Sequence, residues 1–225
     1  MNADNAQKLK IEVAKAGAVS ALLLRPDSLR ACFVFAHGAG AGMTHPFMQA
    51  FAEGLCARGI ATLRYQFPYM EKAGRRPDPP AIAHATVRAA VTEAGRHCPG
   101  LPLIAGGKSF GGRMTSQAQA AAPLEGVRGL AFLGFPLHPA GKPSTDRAGH
   151  LADIHVPMLF LQGTRDTLAE AALIEGVVER LAPSARLHLV DAADHSFHVL
   201  ARSGRNDRDV LREILDAFAD WTEAI

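Results

Sequence analysis

Short apolar runs alternate with longer amphipathic stretches along the chain. The apolar runs are typical of buried β-strands and lie at 19–24, 32–36, 60–65, 103–106, 129–133, 158–162 and 186–190. The run 32–36 (CFVFA) is apolar at every position and stops at a glycine-rich loop, which is the pattern of a strand buried on both faces. We therefore expect these runs to form the centre of one sheet.

The stretches between the runs have the spacing of helices. This spacing predicts helices over 46–58, 80–97, 111–121, 167–181 and 206–223. The last helix places the following residues on one face: Leu211, Ile214, Leu215, Phe218 and Trp221. Strands that alternate with helices predict an α/β fold, with a parallel sheet covered on both faces. Functional side chains in such folds collect in loops at the carboxyl ends of the strands.

Composition narrows the class of protein. A chain of 225 residues with 48% hydrophobic and 20% charged residues suits one globular α/β domain, which we assign to 1–225. With 24 Lys and Arg against 22 Asp and Glu, the net charge of +2 predicts neither nucleic acid nor a membrane surface as partner. No apolar run approaches the roughly 18 residues of a membrane span, and no signal peptide is evident. Three scattered cysteines without a C-x-x-C favour free thiols and a cytoplasmic location.

The strand 103–106 runs directly into Gly107-Lys108-Ser109-Phe110-Gly111. A G-x-S-x-G between a strand and a helix predicts a nucleophile elbow, in which Ser109 is exposed at the helix N-terminus. Two other interpretations exist. One is a glycine-rich turn with a capping serine. The other is a phosphate loop, suggested by Gly-Lys-Ser and by the run LHLVD at 187–191, but the glycine it needs is replaced by Pro102.

A nucleophilic serine needs a base and an acid that orients the base. Asp166 follows the strand 158–162, and His195 follows the strand 186–190, which gives the chain order Ser, acid, His expected for this type of site. Asp191 and Asp194 are rivals for the acid. We prefer Asp166 because it ends a different strand and can approach the ring from the side away from Ser109, whereas Asp194 is better placed to fix its own loop. His198 lies three residues beyond His195, but two histidines without a third ligand are only a weak indication of a metal site.

The glycine-rich loop at 37–42 supplies the remaining part of an acyl-transfer site. The sequence His37-Gly38-Ala39-Gly40 is of the type whose backbone N–H groups bind an oxyanion. We assign the two donors to the N–H groups of Ala39 and Phe110, with Gly40 close behind Ala39. The alternative is a plain glycine-rich turn.

Five segments carry a resemblance to a known family: AHGAGAGM (36–43), GGKSFGGR (106–113), GFPLHPAGKP (134–143), LQGTRD (161–166) and ADHSF (193–197). The set resembles the α/β hydrolases, and within them a small branch near the dienelactone hydrolases. That branch includes bacterial predicted hydrolases and the hydrolase-like domains of a histone acetyltransferase scaffold subunit and of a testis-expressed protein. The resemblance implies a mostly parallel sheet of eight strands with one antiparallel early strand. It also implies Ser109, Asp166 and His195 as the triad and Ala39 and Phe110 as oxyanion positions.

The dienelactone enzymes typically use cysteine where this chain has Ser109, so their substrate does not carry over. The predicted function is a serine hydrolase that cleaves small acyl esters through an acyl-enzyme. The alternative is a catalytically idle interaction module, since the branch also contains scaffolds. We predict no cofactor, no metal and a small ester-like substrate as the partner; the sequence does not indicate an oligomeric state.

The segment 136–157 has about twenty residues, too few for a large cap domain. The site is therefore predicted to be open, with an apolar rim. The predicted substrate contacts are Met43, His45, Phe67, Phe135, His138 and Phe197. Four cations near these segments either face an anionic group of the substrate or are solvated surface charges: Arg75, Arg76, Arg113 and Lys142.

Overall fold

The computed structural model describes residues 6–225 and contains one twisted sheet of eight strands. The strands are β1 Gln7–Val13, β2 Gly17–Leu24, β3 Ala31–Ala36, β4 Ile60–Tyr65, β5 Leu103–Lys108, β6 Val127–Leu133, β7 Met158–Gly163 and β8 Ala185–Val190. Their spatial order is β1-β2-β4-β3-β5-β6-β7-β8. β2 runs antiparallel to both of its neighbours, and every pairing from β4 to β8 is parallel. The predicted eight-stranded sheet with an antiparallel early strand is confirmed.

Helices cover both faces of this sheet. They are α1 Pro46–Cys56, α2 Pro68–Glu71, α3 Pro80–His97, α4 Phe110–Ala121, α5 Ala171–Arg180 and α6 Asp207–Glu223, with 3₁₀ helices at Asp146–Asp153 and Ala201–Ser203. The apolar sides of α3, α4 and α5 join one core, and those of α1 and α6 join the other.

Alternate side chains of the central strands belong to the two different cores. In β3, Cys32 and Val34 belong to the core under α3 and α4, whereas Phe33 and Phe35 belong to the core under α1 and α6. Successive side chains of a strand point to opposite faces, so a strand between two helical layers must be apolar at every position. All six residues of β3 are indeed buried.

The structure differs from the predicted elements in several places. β1 was not predicted; its signal is the alternation of Leu9, Ile11 and Val13 with charged residues. Helix α5 begins at Ala171, four residues later than expected. The residues of the expected first turn make other hydrogen bonds. The N–H of Leu168 donates to Asp166, and the carbonyl of Leu168 accepts from the N–H groups of Leu137 and His138. The predicted loop after β4 contains the short α2, and α1 ends at Cys56 rather than at residue 58.

Two expectations about the loops are also resolved. The residues before Ser109 form strand β5, so no backbone is left there to wrap a phosphate, and the phosphate-loop interpretation is wrong. The segment 136–157 contains only the 3₁₀ helix Asp146–Asp153 and no large cap. Within residues 6–225, no helix is both long enough and apolar enough to cross a bilayer.

The packing of α6 yields a first testable prediction. The Phe218 ring is fully buried, and its centroid lies 4.8 Å from that of Phe33 and 5.8 Å from that of Phe51. Because truncation leaves a cavity that these rings cannot fill, Phe218→Ala should lower the free energy of unfolding by about 3–5 kcal/mol. Urea denaturation measures this. The exposed Asp220 in the same helix is the matched control, and Asp220→Ala should change stability by less than about 0.5 kcal/mol. Equal losses in the two variants would contradict the packing described here.

Candidate active site

The turn between β5 and α4 places Ser109 at the carboxyl edge of the sheet. Ser109 has φ +50°, a conformation that non-glycine residues rarely adopt and that tight functional turns maintain. The neighbouring glycines are required by close approach of the end of β3. A Cβ at Gly107 would lie 2.4 Å from the carbonyl oxygen of Ala36, and a Cβ at Gly111 would lie 2.5 Å from that of His37. This is the elbow that the G-x-S-x-G pattern predicts.

Ser109, His195 and Asp166 form one hydrogen-bonded chain. The Oγ of Ser109 is 2.8 Å from Nε2 of His195, and Nδ1 of the same ring is 2.7 Å from Oδ2 of Asp166. An ionised carboxylate only accepts hydrogen bonds, so Nδ1 carries the proton and Nε2 is free to accept from the serine hydroxyl. The three residues come from the ends of β5, β7 and β8, and the structure brings them together.

A buried network holds Asp166 in place. Its side chain is fully buried; Oδ2 accepts from Nε2 of Gln162 at 2.5 Å, and Oδ1 accepts from the N–H of Leu168 at 2.8 Å. Gln162 is itself fixed, because its Oε1 accepts from the N–H of Phe135. Sequence reasoning did not find Gln162. The signal was a single amide in an otherwise apolar strand, where a buried polar group needs partners.

The rival acidic residues lie elsewhere in the loop. Oδ1 of Asp194 accepts from the N–H groups of Ser196 and His198, at 2.8 and 3.0 Å, and so fixes the turn that carries His195. The side chain of Asp191 is exposed and makes no contact with the ring. His198 is paired with Asp207 at 2.8 Å, and this pairing raises its pKa. Residues 6–225 contain no cluster of three or more His, Cys, Asp or Glu side chains able to hold a metal ion.

The loop after β3 is held from behind by two neutral side chains. Nε2 of His37 accepts from the N–H of Phe67 at 3.0 Å, so Nδ1 carries the proton and donates to the carbonyl of Gly38 at 2.7 Å. The hydroxyl of Tyr69 donates to the carbonyl of Ala39 at 2.8 Å. Burial lowers the pKa of His37 to about 4 and raises that of Tyr69 to about 12, so both groups are neutral near pH 7.

These contacts orient the loop that carries the predicted oxyanion donor Ala39. In a trans peptide the C=O and the N–H point in opposite directions, so fixing the Gly38 carbonyl on His37 turns the N–H of Ala39 away from that ring. Ala39 and Ser109 both line the same cavity. Within the described part of the chain, the N–H groups of Ala39 and Phe110 have no hydrogen-bond acceptor. The N–H of Phe110 begins α4, where the helix dipole also favours negative charge.

Lys108 links the elbow to the histidine loop, a contact that the sequence did not indicate. Its Nζ donates to the carbonyl of His195 at 2.5 Å and lies 5.4 Å from the centre of the Phe197 ring. Burial lowers the pKa of Lys108 to about 8, and the charges of Asp166 and Asp194 counteract part of that shift. This contact ties the elbow that carries Ser109 to the loop that carries His195.

A cavity of about 350 Å³ opens over Ser109. Gly38, Ala39, Phe47, Lys108 and His195 are among the residues that line it. Of the six predicted substrate contacts, His45 alone lies in this lining. The structure corrects the prediction for the other five: Met43, Phe67, Phe135, His138 and Phe197.

Each of these five residues lies or packs outside the cavity lining. Phe135 packs between Phe132 and Phe160 in the core, and Phe67 packs edge-on against His37 and Phe110. His138 is fully buried and pairs with Glu170, and Met43 borders a different surface depression. Phe197 stacks on Phe47, which faces the cavity in its place. A position near a strand end therefore does not distinguish a rim residue from a buried one, because all five side chains are buried.

The fold and the site together define a lidless α/β protein with a serine elbow. Residues 29–223 match the family model described as the alpha/beta hydrolase domain, and the chain belongs to that family.

Solved structures agree in fold over nearly the whole chain. A lidless α/β serine hydrolase from Xanthomonas campestris is 21% identical with a TM-score of 0.74, and the alignment covers 96% of this chain and 94% of that one. A dienelactone hydrolase from Anabaena variabilis is 20% identical with a TM-score of 0.75, over 97% and 98% of the two chains. An α/β serine hydrolase homologue from Coxiella burnetii is 17% identical with a TM-score of 0.75, over 95% and 96%.

Burial of His37 predicts a specific pH dependence of stability. Its pKa falls from 6.5 to about 4 on folding, so below pH 6.5 the unfolded chain binds a proton that the folded chain does not. Stability that is present above pH 6.5 is therefore lost as the pH falls toward 4, by about 2 kcal/mol between pH 7 and pH 5. Urea unfolding at these two pH values should show a smaller loss for His37→Asn than for the unaltered protein. Identical losses would show that His37 does not carry this shift.

Proposed function

We propose that this protein is a serine hydrolase that cleaves small acyl esters through a covalent acyl-enzyme. The observation that carries the proposal is the continuous chain from Oγ of Ser109 through His195 to Asp166, with both links at 2.8 Å or less. A serine hydroxyl is a weak nucleophile by itself, and an adjacent base held by a carboxylate is the usual way to activate it.

Acylation follows from this geometry. The Oγ of Ser109 attacks the ester carbonyl carbon while Nε2 of His195 takes the hydroxyl proton. The imidazolium that forms is stabilised by Asp166, which is buried and already bonded to Nδ1. The carbonyl oxygen becomes negative, and the N–H groups of Ala39 and Phe110 are the donors for it. Collapse of the tetrahedral intermediate expels the alcohol, which receives the proton from Nε2.

Deacylation repeats the same steps with water. Nε2 of His195 takes a proton from a water molecule, whose oxygen attacks the acyl carbon. The ester bond to Oγ then breaks, the acid leaves, and Ser109 recovers its proton from His195. No step requires a metal or a cofactor, because the protons move only between oxygen and one imidazole nitrogen.

The shape of the site favours short substrates. The cavity of about 350 Å³ is bordered by the loop after β3 and by Phe47, and no cap covers it. A long acyl chain would gain little apolar contact there, since the neighbouring aromatic rings of Phe67 and Phe135 are already buried. Acetyl to butyryl esters are therefore the expected substrates, and activity should fall with longer acyl groups.

Single substitutions in the predicted triad test the proposal. Ser109→Ala and His195→Ala should each lower kcat on the best ester by about 10⁴–10⁶, and the double variant should lose little more because the residues act as a unit. Asp166→Asn should cost about 10⁴, since the amide no longer holds the required tautomer of His195. Steady-state kinetics on an ester panel of graded acyl length measure these losses.

Asp194→Asn is the matched control for the acid. Its side-chain oxygen still accepts from the N–H groups of Ser196 and His198, so kcat should fall less than about tenfold. Normal kcat in Asp166→Asn together with a large loss in Asp194→Asn would reassign the acid. A folded protein that turns over no member of the panel would instead support the idle interaction module.

A further inference from the structure

A second depression meets the first at the nucleophile. It has a volume of about 420 Å³ and is bordered by Pro77, Asp78, Phe110, Arg113, Pro136 and Arg147. Ala39, Ser109 and Leu168 line both depressions. Ser109 therefore lies where the two depressions meet. The acyl group and the alcohol of a bound ester can each occupy a different depression. We call the second depression the arginine groove.

Two guanidinium groups in the wall of the groove have no carboxylate partner. Arg113 lies in the first turn of α4, and Arg147 lies in the 3₁₀ helix Asp146–Asp153. Neither forms an ion pair or a side-chain hydrogen bond within residues 6–225, and Nε of Arg113 is buried with no acceptor. Burial and the charge of Arg147 both lower the pKa of Arg113. An unpaired buried donor on a charged group is costly, so an anion that enters the groove would be stabilised by Arg113, with Arg147 beside it.

Charge and shape specify the class of that ligand. Asp78 also borders the groove, but its Oδ2 already accepts from the N–H of Tyr69 at 3.0 Å. Two guanidinium groups and one carboxylate leave the groove with a net charge of about +1, which matches a monoanion better than a dianion. A carboxylate is a monoanion, and its two oxygens fit the forked donors of arginine.

We propose that the arginine groove binds a carboxylate carried by the substrate, so that this hydrolase prefers esters with one acidic end. The inference rests on the proposed function, since it names the substrate class for the nucleophile Ser109. The acidic end lies in the groove, and the uncharged side of the ester lies in the cavity bordered by Phe47. The carboxylate adds affinity without taking part in the bond changes at Ser109.

Matched substrate pairs test this preference. The first pair is the 4-nitrophenyl monoester of glutaric acid, which carries a charge on its acyl side, and the neutral 4-nitrophenyl pentanoate. The pair 4-acetoxybenzoate and phenyl acetate places it on the alcohol side. In at least one pair, the ratio of kcat/KM for the charged ester to that for the neutral ester should fall about 10-fold to 100-fold in Arg113→Gln and in Arg147→Gln.

The control variant is Arg186→Gln. Arg186 is an exposed arginine near the start of β8, at the end of the sheet opposite Ser109, and its removal should leave both ratios unchanged. The preference should also weaken at high salt, because the attraction is electrostatic. Adding inorganic phosphate distinguishes the anions: it should inhibit less than monomethyl glutarate at equal concentration. Stronger inhibition by phosphate would overturn the carboxylate assignment.

Failure of this inference is distinguishable from failure of the proposed function. If neutral esters are hydrolysed but the arginine variants leave both ratios unchanged, the groove does not bind the substrate although the serine hydrolase stands. If no ester is hydrolysed, calorimetry with monomethyl glutarate decides. Binding to the Ser109→Ala protein that is lost in its Arg113→Gln derivative supports the groove, and absence of binding to Ser109→Ala overturns it.

Discussion

The site depends on how closely the backbone of β3 approaches that of the elbow after β5. At Gly107 and Gly111 there is no room for a side chain, because the carbonyls of Ala36 and His37 occupy that space. Ser109 must turn there with φ +50°, and this turn exposes its hydroxyl at the start of α4. The same contact brings the loop that begins at His37 alongside the nucleophile. One close approach of two neighbouring strands therefore positions both the serine and the predicted oxyanion donors.

Charge is unevenly distributed around that contact. The predicted oxyanion loop is held by neutral, buried groups, His37 and Tyr69, which would not compete for negative charge that develops on a substrate. The charged groups approach from other sides: Asp166 lies behind the histidine, and Lys108 contacts its backbone. Beside Ser109, the arginine groove presents two cations, Arg113 and Arg147, that have no ion-pair partner within residues 6–225. In the function proposed above, a preorganised reaction centre adjoins a region that selects substrates by charge.

Sequence patterns predicted the parts of this arrangement that depend on local signals. Periodicity gave the central strands, and the turn requirement for glycine gave Ser109, because such constraints act within a few residues. Contacts distant in sequence were harder to predict. Phe135 and His138 follow a strand as rim residues would, yet both are buried, since the N–H of Phe135 donates to Oε1 of Gln162 and that of His138 donates to the carbonyl of Leu168. Gln162 and Tyr69 act on the site through hydrogen bonds to other segments, and no local pattern reveals those partners.

Covalent labelling tests the central claim, that the elbow makes Ser109 a nucleophile activated by His195. The folded protein is treated with a fluorophosphonate, and the modified residue is identified by peptide mass spectrometry. We expect one adduct per chain, located on Ser109, and labelling that is strongly slowed in a folded His195→Ala protein. Labelling of another residue, no labelling of the folded protein, or an equal rate without His195 would contradict it.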